Sequence, residues 1–560
     1  MGNFFLEITL IIGLASILSI VFRVLKQPEI LAYILTGVIL GPLVLGKIEN
    51  PELVRSLSEI GITLLLFMVG LELRYSDLKA VGKISLITGI GQIVFTSLIG
   101  FLISIFLGFS IIASLYISIA LTFSSTIIIV KLLSDKKDLR SLYGKISVGF
   151  LLVQDFVAII ALIFLSGFSQ NATSINPIGL LLLLLKGVII FGLVGYLSRS
   201  ILPRIMERIP HSPETLFLFS VAWAFGVSFL ISSPPIGFSI EIGGFLAGLA
   251  LANSSESLQI SARVKSLRDF FIVLFFVSLG SGLIFENFYV ILTPALIFSA
   301  FILIGNPLIV IILLGLFGYK KRTSFLAGLT VAQISEFSLI LVFLGYKLGH
   351  LTEEVVAIVT LTGIITFTVS TYMIINGKTL FKHLSPYLNL FERGKTKTDE
   401  FPTAGLDNIE DHVIIVGAEQ MGQSIIEALK KMGEKFVVID FDPSYIRKFN
   451  EDDLNFIFGD ISDLDIQERA KIDNAKLVIS TIPDLEDNKF LLNGLKNENR
   501  KAKIVMMAYD IKDAKALYKD GADYVILPHL AGGRQIAKLL TEEGLSNLEK
   551  LREQDKKYLT

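Results

Sequence analysis

The sequence predicts a polytopic α-helical membrane domain followed by a soluble α/β domain with a doubly wound parallel sheet. Three observations carry that prediction. Up to about residue 385 the chain is a succession of apolar runs, each of roughly 17–25 residues, the length a helix needs to cross a hydrocarbon core. Basic residues crowd the alternate loops between these runs. After residue 410 the period changes, and short apolar strands alternate with amphipathic helices.

Composition agrees. Of 560 residues, 52% are hydrophobic and only 18% charged, and the mean hydropathy is +0.69, which is the profile of a membrane protein with an attached soluble portion. A net charge of −1 gives no case for a nucleic-acid partner. The chain has no cysteine, which excludes disulfides, thiolate metal sites and cysteine catalysis. Its five histidines are scattered without metal-ligand spacing. The N-terminus lacks a basic leader and a small-residue cleavage site, so residues 4–25 are expected to be a retained first span.

Thirteen candidate spans begin near residues 4, 28, 56, 84, 111, 146, 177, 214, 236, 270, 288, 324 and 354. The odd-to-even loops carry Arg23, Lys26, Arg74, Lys131, Lys136, Arg140, Lys145, Arg204, Lys265 and Lys320 among others, whereas the opposite loops carry only Lys47, Arg55 and Lys347. That asymmetry places the N-terminus outside and everything after Lys378 in the cytoplasm.

The sixth span, residues 146–166, is interrupted only by Gln154 and Asp155. At 1.5 Å of rise per residue, Asp155 lies about 15 Å beyond Lys145, near mid-membrane. A carboxylate there is costly, so it reads as an ion or proton site. The alternative is a protonated acid, or one paired with a base on a neighbouring helix as packing glue.

Two spans look broken at the midplane. The fifth contains Leu-Thr-Phe-Ser-Ser-Thr (121–126), and the twelfth contains Gly-Leu-Thr-Val-Ala-Gln-Ile-Ser-Glu-Phe (328–337). Hydroxyl and amide groups at this density can satisfy backbone freed by unwinding, and released carbonyls can line a cation path. The plainer account is that Ser and Thr bond back to the preceding turn. The matching places of the two segments, seven spans apart, fit an inverted repeat.

Other intramembrane polar residues have two readings each. Glu336 sits as deep as Asp155 and reads as an ion ligand or as a structural partner to a buried base. Lys186 reads as a snorkelling or interface lysine. Glu72, Glu241 and Arg268 lie near span ends, as salt-bridging or topological residues. Asn306 precedes Pro307, which removes a donor and loosens the eleventh span, so Asn306 either faces the site or caps a kink.

Residues 386–410 change to Pro, Gly, Lys, Thr, Asp and Glu and read as a linker between a transmembrane domain (1–385) and a soluble one (411–540); 541–560 is a charged tail. Strands are expected at His412–Val416, Phe436–Asp440, 455–458, 476–480, Lys503–Met507 and 524–527, with helices after Gln420, from Ser444, through Ala470, from Asn488 and from Asp513. This is βαβαβ twice over, a Rossmann-like sheet of six strands.

The first strand ends in Gly417-Ala-Glu-Gln-Met-Gly422. A dinucleotide fingerprint has glycine at the first, third and sixth of these positions, and here the third is Glu419. Glutamate brings bulk and negative charge where backbone should approach a pyrophosphate. Asp440 ends the second strand, placed to accept hydrogen bonds from a ribose. The adenosine half of a nucleotide site looks intact and the phosphate half looks damaged.

Taken together, several motifs resemble a known family. Gln154-Asp155, the hydroxyl cluster at 122–126, Phe-Met-Val-Gly-Leu-Glu-Leu (67–73), Gly-Gly-Phe-Leu-Ala-Gly-Leu (243–249), Leu-Arg-Asp-Phe-Phe-Ile-Val-Leu-Phe-Phe-Val-Ser-Leu-Gly (267–280) and Gln-Ile-Ser-Glu-Phe (333–337) are similar to those of the monovalent cation:proton antiporter 2 family. The Gln-Asp pair, rather than Asp-Asp, is most similar to its Kef-type potassium/proton antiporters. Gly459-Asp460 and Gly-Ala-Asp-Tyr-Val-Ile-Leu-Pro (521–528) resemble the Trk-type (TrkA-N, or RCK N-terminal) nucleotide-binding domain. The resemblance covers nearly the whole chain. It implies thirteen membrane helices in inverted repeats with crossed, broken fifth and twelfth helices, a homodimer, and an elevator-like motion of a core domain. The chain departs from it at Asn306, where electrogenic members carry a lysine, and at Glu419.

The function expected is secondary antiport of potassium, or sodium, against protons in the plasma membrane of a prokaryote. A ligand-gated potassium channel is the competing class, but no Thr-Val-Gly-Tyr-Gly-like filter loop lies between spans. An enzyme reading finds no catalytic group near the expected cleft. Asp155 is expected to be the shared cation and proton site, because burial disfavours its charge and lets a proton and a cation compete for it. Thr122, Ser124, Ser125 and Gln154 would supply neutral oxygens, with Asn306, Gln333, Ser335 and Glu336 as supporting polar groups. In the soluble domain Gly417, Gly422, Asp440, Asp460 and Thr481 are expected to hold an adenine nucleotide, AMP-like in preference to NAD(H).

Overall fold

The computed structural model describes residues 2–72, 82–136, 138–166, 189–190, 192–202, 213–233, 238–254, 256–283, 288–391, 409–440, 455–459, 461, 464–482, 485–497, 502–538, 540–541 and 552. It forms two compact units, Met1–Glu392 and Arg393–Thr560. The first part of the seventh span with Lys186, the helix expected from Ser444, Asp460, most of the 386–410 linker and nearly all of the 541–560 tail lie outside the described residues.

The first unit is helical throughout. Its helices are α1 (Gly2–Val24), α2 (Glu29–Leu40), α3 (Pro51–Glu72), α4 (Lys83–Phe106), α5 (Ile111–Ala120), α6 (Thr126–Asp135) and α7 (Leu142–Ser166). After a π-helical turn at Leu197–Ile201 come α8 (Pro213–Ser232), α9 (Ile240–Leu251), α10 (Ser257–Ser281) and α11 (Phe288–Ala300). A second π turn, Phe301–Gly305, leads into α12 (Asn306–Leu316), followed by α13 (Lys321–Leu329), α14 (Glu336–Lys347), α15 (Glu353–Ile375) and α16 (Gly377–Leu388). Among the described residues, seven of the helices are long and apolar enough to cross a membrane.

The fifth and twelfth spans are each two helices in sequence: α5 stops at Ala120 and α6 starts at Thr126, and α13 stops at Leu329 and α14 starts at Glu336. The side chains at the breaks explain them. Ser125 caps α6 by accepting from the Ile128 N–H, and Ser335 opens α14 in a capping box with Ser338. Backbone freed at mid-membrane thus finds side-chain partners, without which an unwound helix could not persist there. The tenth span differs from expectation. It begins at Ser257, well before residue 270, because the polar first half of α10 continues the same helix.

Helices α2, α3, α9 and α10 approach one another through glycine. A Cβ on Gly248 would lie 1.9 Å from the Phe67 carbonyl oxygen, and one on Gly280 would lie 2.0 Å from that of Ile34. Such contacts bring backbones together in the way small residues do in membrane bundles. The helices around the two breaks are joined by buried polar side chains instead.

The second unit contains β1 (His412–Val416), α17 (Gln420–Met432), β2 (Phe436–Asp440), β3 (Phe456–Phe458), α18 (Leu464–Arg469), β4 (Ala475–Ser480), α19 (Leu485–Asn497), β5 (Lys503–Met507), α20 (Ile511–Lys519), β6 (Tyr524–Ile526) and α21 (Pro528–Lys538). All pairings are parallel, in the order β3-β2-β1-β4-β5-β6. The order reverses between β1 and β4, so the crevice at their carboxyl ends is where a ligand is expected. The expected strands are present with edges shifted by a residue. Two helices start earlier than expected, α19 at Leu485 and α20 at Ile511, the latter because Asp510 caps it.

Candidate functional site

The two breaks meet. Asn306 Nδ2 donates to the Leu121 carbonyl at 3.3 Å and to the Val331 carbonyl at 3.5 Å, one from each break. Ser338 Oγ donates to the Ala120 carbonyl at 2.5 Å. Both carbonyl ends, where α5 and α13 leave partial negative charge, are therefore covered by neutral donors. The π turn before Asn306 sits where Pro307 cannot donate to the preceding turn, and it delivers this amide to the crossing.

Asp155, on α7, lies at the same place. Thr126 Oγ1 donates to Asp155 Oδ2 at 2.8 Å. Asp155 Oδ1 is out of solvent reach and has no hydrogen-bond partner among the described residues. Ser124 Oγ, in the first break, is likewise buried without a partner. Two buried oxygens near the crossing, Asp155 Oδ1 and Ser124 Oγ, are thus left without donors, and a desolvated acceptor without a donor is costly. The positive ends of α6 and α14 also begin here.

The other residues expected as neutral ligands are engaged. Gln154 Oε1 accepts from the Ser124 N–H at 3.1 Å, and Ser125 Oγ caps α6. Thr122 Oγ1 donates back to the Ile119 carbonyl at 2.7 Å. Gln333 Oε1 accepts from Ser370 Oγ at 2.8 Å, while its Nε2 is buried without a partner among the described residues. Glu336 opens α14 immediately after the Ser335 cap and lines a cavity of about 860 Å³ together with Arg23, Glu72, Lys131, Lys265 and Arg268. The crossing thus brings Asp155, Gln154, Thr122, Ser124, Ser125 and Asn306 together, with Glu336 at the cavity wall.

Sequence reasoning missed two members of this site, Gln92 and Thr96, and gave Thr126, inside the hydroxyl cluster at 122–126, no role of its own. Gln154 Nε2 donates to Gln92 Oε1 at 2.7 Å, Gln92 Nε2 donates to Thr96 Oγ1 at 3.1 Å, and Thr96 Oγ1 donates to Asn306 Oδ1 at 2.9 Å. The available signal was an uncharged Gln and Thr four residues apart inside an apolar span, which puts both on one helix face.

At the far ends of α3 and α14 from the cavity, Lys347 Nζ lies 2.9 Å from Glu59 on α3 and 3.3 Å from Glu241 on α9. The Arg55 guanidinium stands over the rings of Phe343 and Tyr346, 5.4 and 4.8 Å from their centroids.

In the second unit the crevice at the ends of β1, β2 and β4 holds Gly417, Gly422, Asp440 and Thr481. Gly417 has φ +96°, a left-handed turn that favours glycine, and a Cβ on Gly422 would lie 2.1 Å from the Gly417 carbonyl oxygen. Asp440 Oδ2 accepts from the Ala418 N–H at 2.6 Å, and Thr481 Oγ1 contacts the carbonyls of Val416 and Gly417 at 3.1 Å each. Glu419 is exposed at the N-cap of α17, at the mouth of the crevice. The sheet and the glycine turn are in place, and Asp440 and Thr481 already hold the loop between β1 and α17.

Residues 10–376 match the family described as "Sodium/hydrogen exchanger, transmembrane", and residues 413–528 match the TrkA-N domain. The chain is 28% identical to the "Putative cation/proton antiporter YbaL" of Escherichia coli (strain K12), with 96% of each chain covered. It is 30% identical to K(+) efflux antiporter 5 of Arabidopsis thaliana over 60% of each chain. With K(+) efflux antiporter 3, chloroplastic, of the same plant the identity is 26%, over 97% of this chain and 72% of that one.

Proposed function

The chain belongs to the sodium/hydrogen exchanger family, a multi-pass membrane transporter rather than an enzyme, and from that premise we propose that it exchanges potassium for protons at Asp155. The observation that carries this is the pair of buried, unpartnered oxygens, Asp155 Oδ1 and Ser124 Oγ, where the two broken helices cross. A carboxylate that holds either one proton or one monovalent cation couples the two fluxes, because the site cannot be returned empty without leaving a desolvated charge. Potassium is favoured over sodium by the Gln154-Asp155 pair and by the relatives named for potassium efflux.

Asn306 is neutral and spends its donors on the two breaks, so it holds no proton to trade. One proton for one cation moves no net charge, and exchange is electroneutral. The cavity wall carries basic residues that the charge asymmetry assigns to the cytoplasm, including Lys131 and Lys265. Residues Lys347, Glu59 and Glu241 close the opposite ends of the same helices. This arrangement supports a conformation open to the cytoplasm and latched outside, with the N-terminus external and the second unit cytoplasmic.

In the proposed organisation an exchanger domain (1–385), a linker (386–410), a regulatory domain (411–540) and a charged tail (541–560) form each protomer of a homodimer in a prokaryotic plasma membrane. The regulatory domain takes an adenine nucleotide, AMP-like rather than NAD(H). The helix α17 offers its positive end to one phosphate, while Glu419 opposes a second.

The test is exchange in proteoliposomes with potassium and sodium compared, with and without an imposed membrane potential. Potassium-driven proton movement at a rate indifferent to voltage is expected. A sodium preference would overturn the ion assignment, and a rate that scales with voltage would overturn electroneutrality.

A further inference from the structure

The Gln92 side chain is completely buried on α4, in a span with no charge inside it, and hydrogen-bonds to the first break, to Gln154 on α7 and to Thr96 on its own helix. Its amide is fixed in one orientation by two backbone groups whose polarity cannot be exchanged. Gln92 Nε2 faces the Thr122 carbonyl, an acceptor, at 3.2 Å. Its Oε1 must therefore meet the Nε2 of Gln154, and Gln154 must then turn its own Oε1 to the Ser124 N–H, a donor. From one end of the unwound segment to the other, donor meets acceptor at every step. The same Gln92 amide donates to Thr96, whose hydroxyl passes on to Asn306 and so to the second break.

This chain decides which oxygens are left over. With the Thr122 carbonyl and the Ser124 N–H both tied to the Gln92–Gln154 pair, the peptide of the first break cannot rotate to satisfy Ser124 Oγ or Asp155 Oδ1. Gln154 adjoins Asp155 in sequence, so fixing its side chain also fixes the turn of α7 that presents the carboxylate. We propose that Gln92 is a positioning residue for cation capture, holding the first break and α7 in the one arrangement in which Ser124 Oγ and Asp155 Oδ1 face a shared ligand. The proposal rests on the exchange function above and adds to it a residue on a helix that contributes no ligand.

Two substitutions test it in full-length protein reconstituted in proteoliposomes. Gln92→Met keeps the volume and removes every hydrogen bond. Gln92→Glu, neutral at that depth, keeps a carbonyl for Gln154 and one O–H for the Thr122 carbonyl. Ser104→Ala is the control, since Ser104 is equally buried on α4 but bonds only to Gly100 of its own helix. Gln92→Met should raise the half-saturating potassium concentration about tenfold, the effect of losing a network hydrogen bond of about 1.4 kcal/mol, with the maximal rate within about twofold of the wild type on the same grounds. Gln92→Glu should recover most of that affinity, and Ser104→Ala should leave it unchanged. Thermal unfolding read in parallel separates the roles: a purely structural Gln92 would lower the melting temperature and leave the half-saturating concentration alone. An unchanged half-saturating concentration in Gln92→Met, or a Gln92→Glu protein no better than Gln92→Met, would overturn the proposal. Should the wild type exchange neither potassium nor sodium, the functional assignment fails first and takes this proposal with it.

Discussion

Asp155 interrupts an apolar helix and Asp440 ends an apolar strand, yet the oxygens of the two carboxyl groups are used differently. Asp155 Oδ2 is held by Thr126, while its Oδ1, like Ser124 Oγ, is buried without a partner among the described residues. Asp440 Oδ2 is held at 2.6 Å by the Ala418 N–H, and Thr481 nearby secures the carbonyls of Val416 and Gly417. The first site leaves buried acceptors without donors among the described residues, and the second uses its polar groups to build its own loop. A desolvated acceptor without a donor calls for a cation, whereas a crevice that already organises itself admits a ligand only as an addition. The difference predicts that transport depends steeply on the membrane site and is only tuned by the soluble one.

Substitution at Asp155 should break the comparison most severely. Asp155→Asn keeps the size and an acceptor for Thr126 but cannot alternate between a proton and a cation. Exchange should fall by at least about a hundredfold, as expected when the group that carries the exchanged charge is lost, with folding retained by size-exclusion profile and melting temperature. Wild-type rates in a well-folded Asp155→Asn protein would remove the membrane site from the account.

A smaller effect is expected at the outer latch. The chain has no cysteine, so Ile62→Cys, one turn below Glu59 and 1% exposed, gives a single reporter. Modification by a membrane-impermeant maleimide added outside should be slow in that protein. It should be several-fold faster when Lys347→Met also removes the contacts to Glu59 and Glu241. An unaltered rate would mean that the cluster does not hold the outer side closed.

The smallest effect is expected at the soluble crevice. Calorimetry on the detergent-solubilised full chain should show AMP binding more tightly than NADH, and Glu419→Gly should narrow the gap. Tighter binding of NADH by the unaltered chain would mean that Glu419 does not obstruct a pyrophosphate.

Much of this organisation was legible because membrane and sheet each impose a strong pattern. The breaks at 121–125 and 330–335 showed as hydroxyls and amides in apolar runs, and Asp155 showed as a charge too deep to be incidental. The six strands followed from the change of period after residue 410. What sequence could not show was which polar group meets which. Gln92 and Thr96 on α4 carry no charge, and their importance appears only when the fourth span packs against α5 and α7. The expectation that Thr122, Ser125 and Gln154 supply oxygens came from their place in the sequence. The fold adds that Thr122 also bonds to the preceding turn, Ser125 caps α6 and Gln154 accepts from the Ser124 N–H. Lys347 likewise read as a loop charge, and only the approach of α3, α9 and α14 shows it paired with Glu59 and Glu241.

The central claim is that one carboxylate serves both substrates, and the pH dependence of cation affinity tests it most directly. In proteoliposomes of the unaltered protein, the half-saturating potassium concentration should climb as the pH is lowered, approaching about tenfold per pH unit where the proton dominates, as linkage requires for one proton displaced by one cation. The maximal rate at saturating potassium should be regained at each pH. A half-saturating concentration that stays constant across pH, with only the maximal rate changing, would mean that the proton and the cation occupy separate sites, and would contradict the account.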